Sequence, residues 1–156
     1  MSAREEPADP TGTVRARVKE LRRRKGLTAA ELGEELAKLG VPWNRAIVTN
    51  FELGRRPAVS VQEVMALALV LDVAPVNLLV PLDSQPYRVT PEGAHVQGSG
   101  DVWRWLRGDR PLPGTQTAGA RTFYAEVPAE EIETRGHVVQ LGTAHEISTA
   151  GKLDES

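Results

Sequence analysis

The feature that most constrains this chain is a close succession of helix start and stop signals between residues 13 and 82. Thr28 with Glu31, and Ser60 with Glu63, form capping boxes, in which a hydroxyl and a carboxylate each accept from a backbone N–H at a helix start. Asn44 is a good N-cap for a helix between them. Residues suited to helix ends, and to the start of a short last helix, complete the pattern: Gly26, Gly40, Gly54 and Pro75. Five short helices are therefore predicted in this stretch.

Apolar residues at helical spacing give each predicted helix one inward face. In the first helix, Val14, Val18 and Leu21 fall at i, i+4 and i+7. Gly33 and Ala37 are small enough to allow the second and third helices to approach closely. The inward residues predicted for the later helices are Leu32, Leu36 and Leu39; Ile47, Val48 and Phe51; Val61, Val64, Met65, Ala68 and Leu71; and Val76, Leu78 and Leu79. An all-α, five-helix domain over residues 13–83 follows.

The chain changes character after Asp83. Residues 84–156 contain 9 glycines, 5 prolines and five of the seven aromatic residues. A disordered tail is poor in aromatics, so we expect residues 84–147 to be a loop-rich region, of unknown fold, that packs in part. It has β-like runs at residues 122–127 and 137–141 and a helical turn at residues 102–107. Residues 1–12 and 148–156 are expected to be disordered.

The net charge of −2 conceals an uneven distribution. Residues 1–60 hold 12 Lys and Arg against 8 Asp and Glu, whereas residues 61–156 hold 7 against 13. Residues 11–25 contain one acid, Glu20, and seven bases: Arg15, Arg17, Lys19, Arg22, Arg23, Arg24 and Lys25. A basic segment on an otherwise acidic chain indicates a surface that faces a polyanion, with a solvated helix face as the equal alternative.

Several function classes find no support in the sequence. There is no apolar run of the length a membrane helix needs, no apolar core of a secretory signal, and no cysteine. A metal site needs three or four converging ligands, and only three histidines are present. His145 with Glu146 lacks the second histidine of a metalloprotease motif, because Thr149 occupies that position. We therefore expect a cytoplasmic protein that is not an enzyme and uses no cofactor or metal.

The third predicted helix has a side chemically suited to DNA. Opposite its apolar side stand Arg45, Ala46, Thr49 and Asn50. In the major groove arginine can bind guanine, asparagine can bind adenine, and the methyl groups of threonine and alanine can meet the thymine methyl. The next two basic residues are placed to reach flanking phosphates: Arg55 and Arg56.

Motifs in a recognisable order extend across the five helices: Leu21-Arg22, Gly26-Leu27-Thr28, Glu31-Leu32, Val48-Thr49-Asn50-Phe51-Glu52, Gly54-Arg55-Arg56, Ala66-Leu67-Ala68-Leu69, Leu71-Asp72-Val73-Ala74-Pro75 and Leu78-Leu79. In these motifs residues 14–82 resemble the XRE-type helix-turn-helix domain, the group that contains the phage Cro protein and phage repressors. The connection between helices two and three, residues 39–43, is longer than in the phage members. In this it is similar to a variant seen in actinobacterial regulators.

The resemblance implies roles for particular residues. Residues of helix three would face bases, and backbone N–H groups at the start of helix two, at Thr28 and Ala29, would bind a phosphate. Arg22 and Glu52 would form an ion pair between helices one and three. Asn44 is mainly a cap within the DNA-binding set, and Trp43 is a packing residue. The expected DNA-binding set is Thr28, Ala29, Asn44, Arg45, Ala46, Thr49, Asn50, Arg55 and Arg56.

The sequence thus predicts a sequence-specific regulator of transcription, a repressor, that binds double-stranded DNA as a homodimer on a two-fold operator. The alternative is an antitoxin-like or adaptor protein whose C-terminal region binds a protein partner. Trp103 and Trp105 are the candidate contacts for docking on the helical domain or for dimerisation, and otherwise for that partner or a ligand.

Overall fold

The computed structural model describes residues 6–92, 96–114, 121–126 and 128, and over that part the chain is mainly α-helical. The chain divides into two compact units, Met1–Thr115 and Gln116–Ser156. The elements of the first unit are α1 Pro10–Arg24, α2 Ala29–Lys38, α3 Arg45–Glu52, α4 Val61–Leu71, α5 Val76–Leu79, β1 Pro86–Arg88, β2 Val96–Gly98 and α6 Ser99–Leu106. In the second unit the described element is α7 Arg121–Ala125.

The capping predicted at the starts of α2, α3 and α4 is confirmed. Both capping boxes form, at Thr28 and at Ser60. The side chain of Asn44 accepts from the backbone N–H of Ile47 at 3.0 Å, as an N-cap does. The glycines that follow the first three helices all have positive φ, which a side chain would disfavour: Gly26, Gly40 and Gly54.

The main core lies between the first five helices. The buried side chains of α1, α2 and α3 include most of those predicted, among them Val14, Leu32, Val48 and Phe51. Leu78 of α5, which was also predicted to face inward, is buried. These residues remove enough apolar surface from water to hold short helices together, since helices of this length are marginal alone.

Part of the predicted inward set is wrong. Val61 and Met65 are 77% and 52% exposed, whereas the other three residues predicted inward in α4 are buried: Val64, Ala68 and Leu71. α4 also buries Ala66 and Leu67, which were not predicted. Because α4 is apolar on nearly every side, its periodicity does not identify the buried face. Leu39, predicted inward, is 50% exposed. Ala37, predicted with Gly33 to allow close approach to α3, is exposed as well.

A second, smaller core extends the first unit beyond the predicted boundary at residue 83. It consists of Val80, Tyr87, Val102 and Leu112. β1 pairs antiparallel with β2, with Tyr87 opposite Gln97. The Tyr87 hydroxyl donates to the carbonyl of Leu79 at 2.5 Å, which ties this core to α5.

The N-terminal segment also differs from its predicted disorder, as far as it is described. Ala8 forms a parallel bridge with Tyr87, and its N–H donates to the Pro86 carbonyl at 3.1 Å. Asp9 caps α1 by accepting from Gly12, and Pro10 occupies the first turn. Backbone pairing over this sequence distance leaves no trace in local composition. Residues 1–5 lie outside the described part.

Two predictions concern the C-terminal region. The helical turn at residues 102–107 is confirmed as part of α6. The β-like run at residues 122–127 is wrong, because residues 121–125 form the helix α7. There Phe123 and Tyr124 make an edge-to-face ring contact, at a centroid distance of 5.4 Å. The β-like run predicted at residues 137–141 and the disordered end predicted at residues 148–156 lie outside the described residues.

Candidate nucleic-acid interface

The two sides of α3 differ in burial. Val48 and Phe51 are fully buried and Ile47 is half-buried, whereas Arg45, Thr49 and Asn50 are exposed. Within the part of the chain that the structure describes, none of these three exposed side chains has a hydrogen bond or an ion pair. With Asn44 and Ala46 they line a shallow, open depression. A small surface rich in donors and acceptors is therefore presented by a helix anchored on its other side.

The close contact between α2 and α3 depends on Gly33. A Cβ at this position would lie 2.7 Å from the Cα of Asn44 and 2.8 Å from its carbonyl carbon. Both neighbours are backbone atoms that cannot move without moving the start of α3. Gly33 thus provides the predicted close approach, and it fixes the position of the first residue before α3.

The end of α3 is fixed by the ion pair between Arg22 and Glu52. Nε and Nη2 of Arg22 donate to the two carboxylate oxygens at 2.6 and 2.8 Å, and Nη1 donates to the Leu27 carbonyl at 2.8 Å. The Glu52 side chain is 8% exposed. The hydrogen bond to Glu52 raises the pKa of Arg22, against desolvation. This bidentate pair joins α1, the α1–α2 connection and α3.

Arg15 is a second contact to the end of α3, and the sequence does not predict it. Its Nε donates to the Phe51 carbonyl at 2.9 Å, and its guanidinium lies 5.7 Å from the Phe51 ring centroid. The bond satisfies one of the carbonyls that a helix leaves unpaired at its C-terminus. From charge alone, Arg15 belongs to a surface that faces either a polyanion or solvent.

Most of the basic segment in α1 is likewise engaged within the chain. Arg17 donates to the Asn77 carbonyl at 3.1 Å and pairs with Glu20, which also pairs with Arg24. The Arg17 hydrogen bond is the first cause of a lowered pKa at Glu20. Lys25 donates to the Val70 carbonyl at 3.2 Å. Five of the seven bases thus have intrachain partners, so their number alone does not indicate a polyanion-facing surface.

Arg56, expected to reach a flanking phosphate, is already engaged within the chain. Its Nη2 donates to Glu63 Oε1 at 2.7 Å, and its guanidinium lies 4.9 Å from the Trp43 ring centroid. Arg55, by contrast, is exposed. Glu63 was recognised only as a capping residue, and its spacing of seven from Arg56 gave no signal of the pair.

Trp43 is a core residue, as predicted. It is 3% exposed, and its ring packs on that of Phe51 at a centroid distance of 5.3 Å. Its Nε1–H donates to Glu63 Oε1 at 2.7 Å. Desolvation opposes the charge on Glu63, but hydrogen bonds from Ser60, Trp43 and Arg56 outweigh it and lower the pKa of Glu63.

The start of α2 offers less to a phosphate than expected. The N–H of Thr28 already donates to Glu31 Oε2 at 2.7 Å in the capping box. That hydrogen bond is the first cause of a lowered pKa at Glu31. Ala29 packs its side chain against the main core, so its backbone N–H is the group available for an anion.

The tryptophans of α6 contribute to the second core. Trp103 Nε1 donates to Asn77 Oδ1 at 3.1 Å, and the guanidinium of Arg107 lies 4.4 Å from its ring centroid. Trp105 is half-buried against the same core. Both indoles therefore dock within the chain, and neither is a fully exposed candidate for a partner contact.

Among the described residues, no group of three or more His, Asp or Glu side chains is arranged to hold a metal ion. In the same part of the chain, no helix combines the length and apolarity needed to cross a bilayer. No protein-family model, curated protein or solved structure matches this chain.

Proposed function

We propose that this protein binds double-stranded DNA sequence-specifically, with α2 and α3 acting as a helix-turn-helix of the XRE type and α3 entering the major groove. The observation that carries the proposal is the contrast across α3. One side is buried in the core. The other side exposes Arg45, Thr49 and Asn50, whose side chains have no partners among the described residues. A helix anchored in this way can hold base-contacting side chains in a fixed geometry.

Each exposed residue has a matching chemistry in the groove. Arg45 can donate two hydrogen bonds to guanine, and the side-chain amide of Asn50 can pair with adenine. The methyl groups of Ala46 and Thr49 suit the thymine methyl. Arg55, exposed just after α3, is placed to contact a phosphate, which adds affinity without sequence preference.

The supporting contacts agree with the roles implied by the resemblance. The Arg22–Glu52 pair fixes the end of α3, and the N–H of Ala29 can meet a phosphate at the start of α2. Because one short helix reads few base pairs, we propose a homodimer on a two-fold operator that acts as a cytoplasmic repressor.

Selection of duplexes from a random pool at ~150 mM salt tests the proposal, since salt at this level suppresses purely electrostatic binding. We expect a consensus made of two inverted half-sites, with centres about one helical turn apart. Recovery of no consensus, with equal affinity for all duplexes, would refute it. The alternative, an antitoxin-like or adaptor protein whose C-terminal region binds a protein partner, has less support, because both tryptophans pack within the described part of the chain.

A further inference from the structure

Glu63, in the first turn of α4, accepts three hydrogen bonds through one carboxylate. Oε2 accepts from its own capping partner, the backbone N–H of Ser60, at 2.7 Å. Oε1 accepts from Trp43 Nε1 and from Arg56 Nη2, both at 2.7 Å. The last two donors belong to the segments on either side of α3. We refer to Trp43, Arg56 and Glu63 as the Glu63 clamp.

The clamp reaches both ends of α3. Trp43 directly precedes the N-cap Asn44, and Arg56 follows the C-terminal turn of the helix. Arg56 also stacks on the Trp43 ring, which in turn packs on Phe51 from the buried side of α3. A single carboxylate therefore joins the entry to α3, its exit and the start of α4.

The clamp adds to two other constraints on α3, the backbone contact at Gly33 and the Arg22–Glu52 pair. α2 ends at Lys38 and α3 begins at Arg45, and the clamp holds the end of the connection between them. Trp43 is the buried anchor in this connection, and Glu63 satisfies its N–H. Base contacts tolerate little tilt, since hydrogen bonds weaken steeply when they are misaligned.

We propose that Glu63 is a positioning residue for sequence recognition: it touches no DNA, and it sets the tilt of α3 that brings Arg45, Thr49 and Asn50 into register with the bases. This inference rests on the proposed DNA-binding function. It assigns Arg56 to the same task, so the guanidinium of Arg56 orients α3 instead of binding a phosphate.

Two variants disturb the clamp, and a third controls for the loss of a cap. In Glu63→Gln the side chain keeps the size and the capping ability of glutamate, but its single carbonyl oxygen cannot serve Ser60 together with Trp43 and Arg56. Trp43→Phe keeps an aromatic ring on Phe51 and removes the N–H donor. Glu31→Gln is the matched control, because Glu31 holds the same position in the other capping box and accepts there from Thr28.

The readout is the ratio of affinities for the selected duplex and a random duplex, measured on folded full-length protein. We expect Glu63→Gln and Trp43→Phe to lower this ratio about tenfold, the size of one well-aligned base contact, and Glu31→Gln to leave it unchanged. An unchanged ratio in both clamp variants, or equal losses on both duplexes, would overturn the inference.

NMR on the free protein separates a failed clamp from a failed function. The Trp43 Nε1 proton should be protected from hydrogen exchange in wild type and in Glu31→Gln, and should exchange faster in Glu63→Gln. Equal exchange in all three would refute the clamp whatever the DNA result. If wild type selects no sequence while the proton is protected, the clamp stands as structure, and the proposed function fails together with the positioning role.

Discussion

α1 and α3 use their polar residues in opposite ways. The basic run of α1 and its C-cap is dense, yet five of its side chains bond to acceptors inside the chain: Arg15, Arg17, Arg22, Arg24 and Lys25. α3 has one arginine on its exposed side, and that side chain has no partner among the described residues.

The difference teaches that the number of charges in a sequence does not locate a binding surface. A cation that already satisfies a carbonyl or a carboxylate must lose that bond before it can meet a phosphate, and the loss costs about 1–3 kcal/mol when the partner is left buried. The sparse polar side of α3 is thus the better candidate, despite its lower charge.

The largest loss of stability is expected when Arg22 in α1 is replaced. Arg22→Ala leaves the Glu52 carboxylate buried without its partner, so we expect the free energy of unfolding to fall by about 3–5 kcal/mol. Arg24→Ala removes an equal charge from the same helix at an exposed pair and should cost at most about 1 kcal/mol. Urea unfolding followed by circular dichroism gives both values, and equal losses would contradict the structural role of Arg22.

A smaller loss of stability is expected at the contact between α2 and α3. Gly33→Ala places a Cβ against the backbone of Asn44, and such overpacking costs about 1–3 kcal/mol. The control is Gly100→Ala in α6, where the nearest atom to the added Cβ is Arg104 Nη1 at 3.8 Å. Thermal unfolding compares the two variants. A Gly33→Ala protein as stable as the control would show that the helices do not meet at backbone distance.

Arg45→Ala should change DNA binding and leave stability alone. We expect binding to the selected duplex to weaken by ~1–3 kcal/mol, with relaxed preference at one base position, while Arg55→Ala weakens binding to all sequences alike. Arg104→Ala on the exposed side of α6 is the charge-matched control. Fluorescence anisotropy on selected and random duplexes measures the losses, and equal losses on both duplexes for Arg45→Ala and Arg55→Ala would contradict these roles.

The smallest expected effect is on the stability of the folded chain in acid, and it comes from the Arg17–Glu20 pair of α1. The hydrogen bond from Arg17 lowers the pKa of Glu20 in the folded chain. The stabilisation that ionised Glu20 contributes is therefore complete when the pH is above its unfolded pKa of 4.5. It disappears as the pH falls through the lowered pKa of the folded state. Melting temperatures measured down through this range should decline less steeply for Glu20→Gln than for wild type, and identical profiles would show that the carboxylate does not hold Arg17.

The parts of the fold that depend on local signals could be predicted from the sequence. Capping at Thr28, Asn44 and Ser60 depends on residues three positions apart, and the exposed side of α3 follows from helical periodicity. The close approach at Gly33 could also be predicted, because glycine has no side chain to separate two helices.

Contacts between residues that are far apart in the sequence could not be predicted. Arg15 donates to a carbonyl 36 residues away, and Ala8 pairs with Tyr87 of β1, far from it in the sequence. Arg56 closely follows α3, a place that suits a phosphate contact, and the sequence does not show that Glu63 lies beside it. In each case the sequence supplied the donor and gave no sign of which acceptor the fold would bring to it.

The central claim is that the exposed side of α3 contacts the bases, and selection repeated with Arg45→Ala tests it most directly. We expect wild type to give a two-fold consensus and Arg45→Ala to lose the preference at one position of each half-site, with the other positions kept. If the two proteins give the same consensus, Arg45 contacts no base, and the claim that this side of α3 reads DNA is contradicted.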